Sequence, residues 1–264
     1  MRFARLTVAA AALAVATATL TPAVSGATGP GAPTAQYRVT LKASTKVAVA
    51  KEDKVALTGA VYPTPPEGSQ VLVQVQYEKT NAWVKAGTAK VKGDGTYRFV
   101  DKPKTTRDRV YRVVKHADKL AKQDKSRERA LHVIGWSWLT DLIPSATENV
   151  FKAATMPING DDYAHTLYVD RAFTTGFTEF TLGRDCTSLE ATYGLSDRTE
   201  TGGRAAISVS SDGVGVYSRT FDLGQSELVT TDVTGVYRIR LDFAQVAGTP
   251  PTEPSAGAGR VLCD

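Results

Sequence analysis

The sequence predicts an all-β protein, and three observations predict it. Apolar and polar residues alternate over short runs, as at Val71, Val73, Val75 and Tyr77 with Gln74 and Gln76 between them. Such a period of two turns one side of an extended chain toward a core and the other toward water. Gly, Pro, Asp and Asn punctuate the runs about every eight to twelve residues, the spacing of short antiparallel strands in a sandwich. Charge then divides the chain. Residues 36–133 carry 21 Lys or Arg against 10 Asp or Glu, whereas residues 134–264 carry 9 against 17. A reversal this abrupt marks a boundary near 133–135 and two successive units, 36–133 and 136–264.

The chain opens with Arg2 and Arg5, an apolar run over 6–20, small residues at 23–27, and then Gly29, Pro30, Gly31 and Pro33. A charged start, a short apolar core and a small-residue exit describe a secretory signal peptide over residues 1–27. The run is short for a transmembrane span. The expectation is a secreted, extracellular protein with no membrane association after cleavage. Cys186 and Cys263 are the two cysteines, and an even count in an exported chain reads as one disulfide. Their separation of 77 positions implies about 4.5 kcal/mol of stabilisation from chain entropy.

In the first unit, Tyr37, Val39 and Leu41 alternate with polar neighbours, as do Val55 and Leu57. "QVLVQVQY" at 70–77 follows, then "GDG" at 93–95 as a tight turn, Tyr97 and Phe99, and "VYRVV" at 110–114. "YPTPPEGS" at 62–69 is a rigid loop, because proline fixes φ and offers no ladder donor. The basic stretch "HADKLAKQDKSRER" at 116–129 reads as a helix or a long loop before a last strand at 130–133. This arrangement resembles the immunoglobulin-like modules of secreted actinobacterial proteins, without the Cys–Trp–Cys pattern of antibody domains.

In the second unit, Leu189, Ala191 and Tyr193 alternate after Cys186. Asp212–Gly213 is a two-residue hairpin signal between "AAISVSS" and "VGVYSRTF". Tyr237, Ile239, Leu241 and Phe243 are expected to point inward, with Arg238, Arg240 and Asp242 facing water. Val261 and Leu262 make a last strand that a disulfide would staple to an internal one. About eight short strands of this kind fit a jelly roll.

Five fragments lie in order here: "INGDDYAHTLY" (158–168), "LGRDCTSLEATYGLSD" (182–197), "SSDGVGVYS" (210–218), "DVTGVYRIRLDF" (232–243) and "RVLCD" (260–264). Together they resemble the NPCBM-type carbohydrate-binding module first described on glycosyl hydrolase family 98 enzymes. The resemblance implies a galactose-binding-like β jelly roll that recognises sugars without catalysis. It departs from the family at "AHTLYVD", where members carry a Gly-Leu-Gly-x-His run, and at 248–264, where members carry an acidic segment with His and Trp.

Sugar sites combine aromatic faces with convergent amide, carboxylate or guanidinium groups. The candidate carbohydrate-binding residues are therefore Trp136, Trp138, Asn159, Tyr163, His165, Asp197, Arg198 and Glu200, with Asp161 and Asp162 beside them. The tryptophans also suit packing in a core or between units. The acidic loops also suit turn chemistry or a structural calcium.

The sequence motifs of catalysis are missing: no G-x-S-x-G, no H-E-x-x-H, no phosphate loop. A carboxylate pair for glycoside hydrolysis, recognised by its separation in space, stays open as an alternative. The expected partner is a glycan or cell-wall polysaccharide, met by a monomer with no cofactor and no metal in the assigned site. No nucleic-acid partner is expected, because the chain reads as exported and no aromatic platform interleaves the basic residues. The 14 lysines of residues 36–133 leave a second reading open, electrostatic adhesion to an anionic wall polymer.

Overall fold

The structure is a computed structural model, and it describes residues 35–264. The signal peptide expected over residues 1–27 lies outside the described residues.

The described chain is built from strands. The first ten are β1 (Arg38–Val39), β2 (Lys42–Ala43), β3 (Val47–Val49), β4 (Val55–Tyr62), β5 (Gln70–Tyr77), β6 (Val84–Lys90), β7 (Thr96–Asp101), β8 (Arg109–Lys115), β9 (Asp124–Lys125) and β10 (Arg129–Trp138). A 3₁₀ turn at Leu139–Asp141 follows. The remaining ten are β11 (Ala146–Glu148), β12 (Val150–Ile158), β13 (Asp161–Val169), β14 (Thr175–Thr181), β15 (Cys186–Leu195), β16 (Arg204–Ser211), β17 (Val214–Asp222), β18 (Ser226–Asp232), β19 (Arg238–Gln245) and β20 (Pro254–Cys263).

In the first half, β4 pairs with β1, β2 and β7, while β5 lies between β6 and β8. Val55, Leu57, Val71, Val73, Tyr111 and Val133 close the core between these layers. In the second half, β14, β16, β17 and β19 form one sheet with β11. The other layer is β12-β13-β20, with β15 joined to β20 and β18 to β15. Leu189, Ala191, Tyr193, Ile207, Val209, Ile239, Leu241 and Phe243 fill the space between them. Each is fully buried, and Leu189, Ala191, Tyr193, Ile239, Leu241 and Phe243 are residues of the period-two alternation read from the sequence.

One strand belongs to both halves. The start of β10 pairs with β8 and lies parallel to β3, and its end pairs with β20. A single sheet therefore runs from the first core to the second, and the last residues of β10 stand where the halves meet.

Three local expectations are refined. The 116–129 stretch is loop with the short strand β9, not helix; its Asp118 caps the turn through the Leu120 and Ala121 N–H groups. Tyr237 is exposed rather than buried, because Asp212 accepts its N–H and that of Arg238, which holds the residue outside β19. Asp212 and Gly213 take the positive φ values, 48° and 81°, that a tight hairpin turn demands.

The disulfide joins Cys186 to Cys263. The two residues sit opposite each other across β15 and β20, so the bond fixes the last strand to its neighbour at the end of the ladder.

Candidate functional site

Trp136 and Trp138 are two residues apart on β10, so one face of the strand presents both. On β20, Leu262 lies opposite Trp136 and Arg260 opposite Trp138. The Arg260 guanidinium carbon stands 4.2 Å from the centre of the Trp136 ring and 6.0 Å from that of Trp138. It is held there by Glu190, opposite it on β15, whose Oε1 lies 2.8 Å from Nε and 2.7 Å from Nη2. Glu52, from the first half, adds a longer contact of 3.7 Å.

On its other flank Trp138 meets His165. The rings are 4.5 Å apart and 5° from parallel. His165 has a φ of 54°, uncommon for a residue with a Cβ. Its Nδ1 lies 3.1 Å from the Thr140 hydroxyl just past β10. Trp136, Arg260, Trp138 and His165 thus form one ladder of alternating rings and charge. Each cation–ring contact of this kind contributes about 0.5–2 kcal/mol, more as water is excluded. Arg260 occupies one face of Trp136 and His165 one face of Trp138, and both tryptophans remain half-buried.

A second set gathers at the β12–β13 turn. Asn159 and Gly160 have φ values of 54° and 85°, the signature of a two-residue turn with both centres left-handed. The Asp197 carboxylate accepts both of their N–H groups, at 2.8 and 2.9 Å. Asn159 Nδ2 donates to Ser226 Oγ at 3.2 Å. Arg198 and Glu200 follow Asp197 in the next turn with exposed side chains; the Arg198 N–H donates to Ser196 Oγ, and the Glu200 carbonyl accepts the Gly203 N–H. Tyr163 is half-buried against Gly257, where a Cβ would come 2.7 Å from the Tyr163 Cβ. Glycine at that position is what lets the tyrosine lie down on β20.

Of the eight candidates, then, Trp136, Trp138 and His165 come together, and so do Asn159 and Asp197. Tyr163 packs on β20, and Arg198 and Glu200 stand beside Asp197 in solvent. Arg260, Glu190 and Thr140 complete the ladder without having been anticipated.

Residues 133–249 match the NPCBM/NEW2 domain model. The NPCBM/NEW2 stretch begins inside β10 and ends before β20, so Arg260 and Cys263 fall outside it. No curated protein matches the chain. Among solved structures, the chain is similar to CBM51 from Clostridium perfringens GH95 in complex with methyl-galactose. That similarity has 15% identity and a TM-score of 0.41, covering 48% of this chain and 99% of that one. It is also similar to CBM51-2 in complex with GlcNAc and INT domains from Clostridium perfringens ZmpB, at 11% identity and a TM-score of 0.42. There 86% of this chain and 48% of the other are covered, so the chain spans about half the length of that neighbour. The M60 catalytic domain with CBM51-1 and CBM51-2 from the same protein gives 11% identity, a TM-score of 0.43, and coverage of 88% and 32%.

Two charged features adjoin the NPCBM/NEW2 stretch. His132, at its edge on β10, is bonded on both ring nitrogens: Nδ1 lies 2.9 Å from Asp108 Oδ1, and Nε2 lies 2.9 Å from Asp264 Oδ1. The hydrogen bonds to Asp108 and then Asp264 raise the imidazole pKa against the opposing effect of burial. Burial works to raise the Asp108 carboxyl, but the His132 and Val133 N–H groups outweigh it and hold it low. In the first half, a cleft of about 900 Å³ is lined by Lys42, Lys46, Lys79 and Arg129 together with Glu78 and Glu128. Among the described residues no three His, Cys, Asp or Glu side chains converge as a metal site.

Proposed function

We propose that the protein is a secreted, non-catalytic carbohydrate- or cell-envelope-binding protein. An immunoglobulin-like unit over 36–133 precedes an NPCBM-like unit over 136–264. The observation that carries the reading is the NPCBM/NEW2 match over 133–249. The β-sandwich seen over the same residues is consistent with it, since such a scaffold presents loops and one sheet face to a ligand. Export fits the disulfide between Cys186 and Cys263.

The test is a glycan array together with a pull-down on purified wall polysaccharide, using the chain without its first 27 residues. Saturable binding supports the proposal. Blank results in both assays at high micromolar protein reject it.

A second reading is electrostatic adhesion to an anionic wall polymer. The specific observation in its favour is the lysine-lined cleft of the first half. Charge-driven binding collapses as salt rises, because exposed charges are screened beyond about 8–10 Å at physiological ionic strength. Stacking on a sugar persists, so a salt titration separates the two readings.

A further inference from the structure

Trp136 and Trp138 each have one face against a protein group, and away from them the described residues offer one place where two exposed aromatic rings stack on each other. Phe151 and Phe173 are 43% and 36% exposed, and their ring centres are 6.0 Å apart. Tyr168, opposite Phe151 across β12 and β13, adds a third ring 5.8 Å from Phe151. The turn between β13 and β14 is fixed by Asp170, whose Oδ1 accepts the Ala172 N–H and whose carbonyl accepts the Phe173 N–H, both at 2.9 Å. That turn carries both Arg171 and Phe173, two positions apart.

Arg171 differs from Arg204, Arg219, Arg240 and Arg260, each of which is hydrogen-bonded to a carboxylate. Its contact is with Glu253 Oε1 at 3.7 Å, beyond hydrogen-bond distance, and its side chain is half exposed. Glu253 is 3% exposed and its Oε2 has no hydrogen-bond partner. The buried carboxylate therefore holds a cation at the surface without consuming its donors. Partly exposed aromatic rings in the same region as a guanidinium with unspent N–H groups match the two halves of a pyranose: a C–H face and a rim of hydroxyls.

We propose that Phe151, Phe173 and Arg171, with Tyr168 behind them, form the sugar-contacting surface of this protein, and that its ligand is a pyranose residue of a glycan. The inference rests on the carbohydrate-binding reading and names the site for it. Phe151 and Phe173 stack on the apolar face of the ring, and Arg171 donates to hydroxyl oxygens at its edge. Glu253 positions Arg171.

The test takes a pyranose glycan retained by the wild-type chain on an array and measures its affinity for Phe151→Ala, Phe173→Ala and Trp138→Ala. Exposed rings can be removed without emptying the core, so the phenylalanine variants should keep the wild-type unfolding midpoint. Each should bind about tenfold more weakly, the loss of one aromatic contact. Arg171→Lys, which keeps the charge beside Glu253 but loses the planar donors, should also bind more weakly at unchanged stability. Unaltered affinity in both phenylalanine variants overturns the site while leaving carbohydrate binding standing. Loss confined to Trp138→Ala does the same. A wild-type chain that binds no glycan overturns the reading beneath it. Self-association abolished by Phe151→Ala would show the patch to be an interface between copies and would also overturn the proposal.

Discussion

His132 Nε2 and Asp264 Oδ1 are 2.9 Å apart, which ties the residue after the disulfide to the strand shared by both halves. Because Nδ1 is bonded to Asp108 as well, both ring nitrogens must carry protons for both contacts to be hydrogen bonds. The arrangement is complete only with an imidazolium.

Its pH dependence has a definite sign. The folded His132 pKa is raised, so its stabilisation is fully present below the unfolded value of about 6.5 and is lost as pH rises through the folded value. Asp108 is held low, so its share is present above about 3.9 and is lost as pH falls through its folded value. Both side chains are about two-fifths exposed, which limits the effect to about 1 kcal/mol or less. Urea midpoints of the wild-type chain and His132→Ala should therefore differ most between the unfolded carboxylate and imidazole values, near pH 5–6, and draw closer as pH rises through the raised folded pKa of His132. A gap independent of pH would reject the pairing.

The disulfide should act on the same contact. Replacing Cys263 with Ser removes the 186–263 link and should cost about 2–5 kcal/mol in denaturant unfolding. Asp264 follows Cys263 directly, so freeing the end of β20 should also shrink the pH-dependent gap produced by His132→Ala. Retention of the full gap in the serine variant would show that the Asp185 carbonyl, which accepts the Asp264 N–H, holds the tail unaided.

Arg260→Ala should destabilise the ladder by about 1–3 kcal/mol, through a lost cation–ring contact and a Glu190 left without its partner. Arg260→Lys should restore little, since an ammonium cannot lie flat on Trp136 while gripping Glu190 with two nitrogens. Tryptophan fluorescence and urea midpoints together check this. Full rescue by lysine would mean that charge alone matters at this position.

Which features could be read from the chain follows from how local each one is. Ile239, Leu241 and Phe243 announced themselves because a half-buried strand writes its environment into every second residue. Tyr237 continued the same pattern and still lies outside, since Asp212, 25 positions away, takes its N–H. The disulfide was legible because two cysteines allow one pairing. The tryptophan pair was legible as a strand face, but Arg260 was not: it meets Trp136 through strand pairing between segments distant in sequence. His165 reaches Trp138 by a left-handed backbone that no spacing rule anticipates. Arg171 and Glu253 are likewise joined by the fold, 82 positions apart.

Asp197 decides between a structural and a ligand-binding role for the acidic loop. Its two oxygens each accept one N–H of the Asn159–Gly160 turn, which leaves one lone pair on each oxygen for a hydroxyl. Hydrogen bonds to charged groups contribute about 1.5–3 kcal/mol each, less where water can replace the acceptor. Asp197→Ala should therefore lower stability by about 1–3 kcal/mol, because the turn N–H groups pass to solvent. Asp197→Asn should fall between, because its amide oxygen accepts one of the two bonds and its NH₂ cannot accept the other. Unfolding midpoints establish the order. The affinity of the folded variants for a retained glycan then makes the distinction: unchanged binding in Asp197→Asn assigns the residue to the turn. A tenfold loss at nearly native stability would instead make Asp197 a sugar contact.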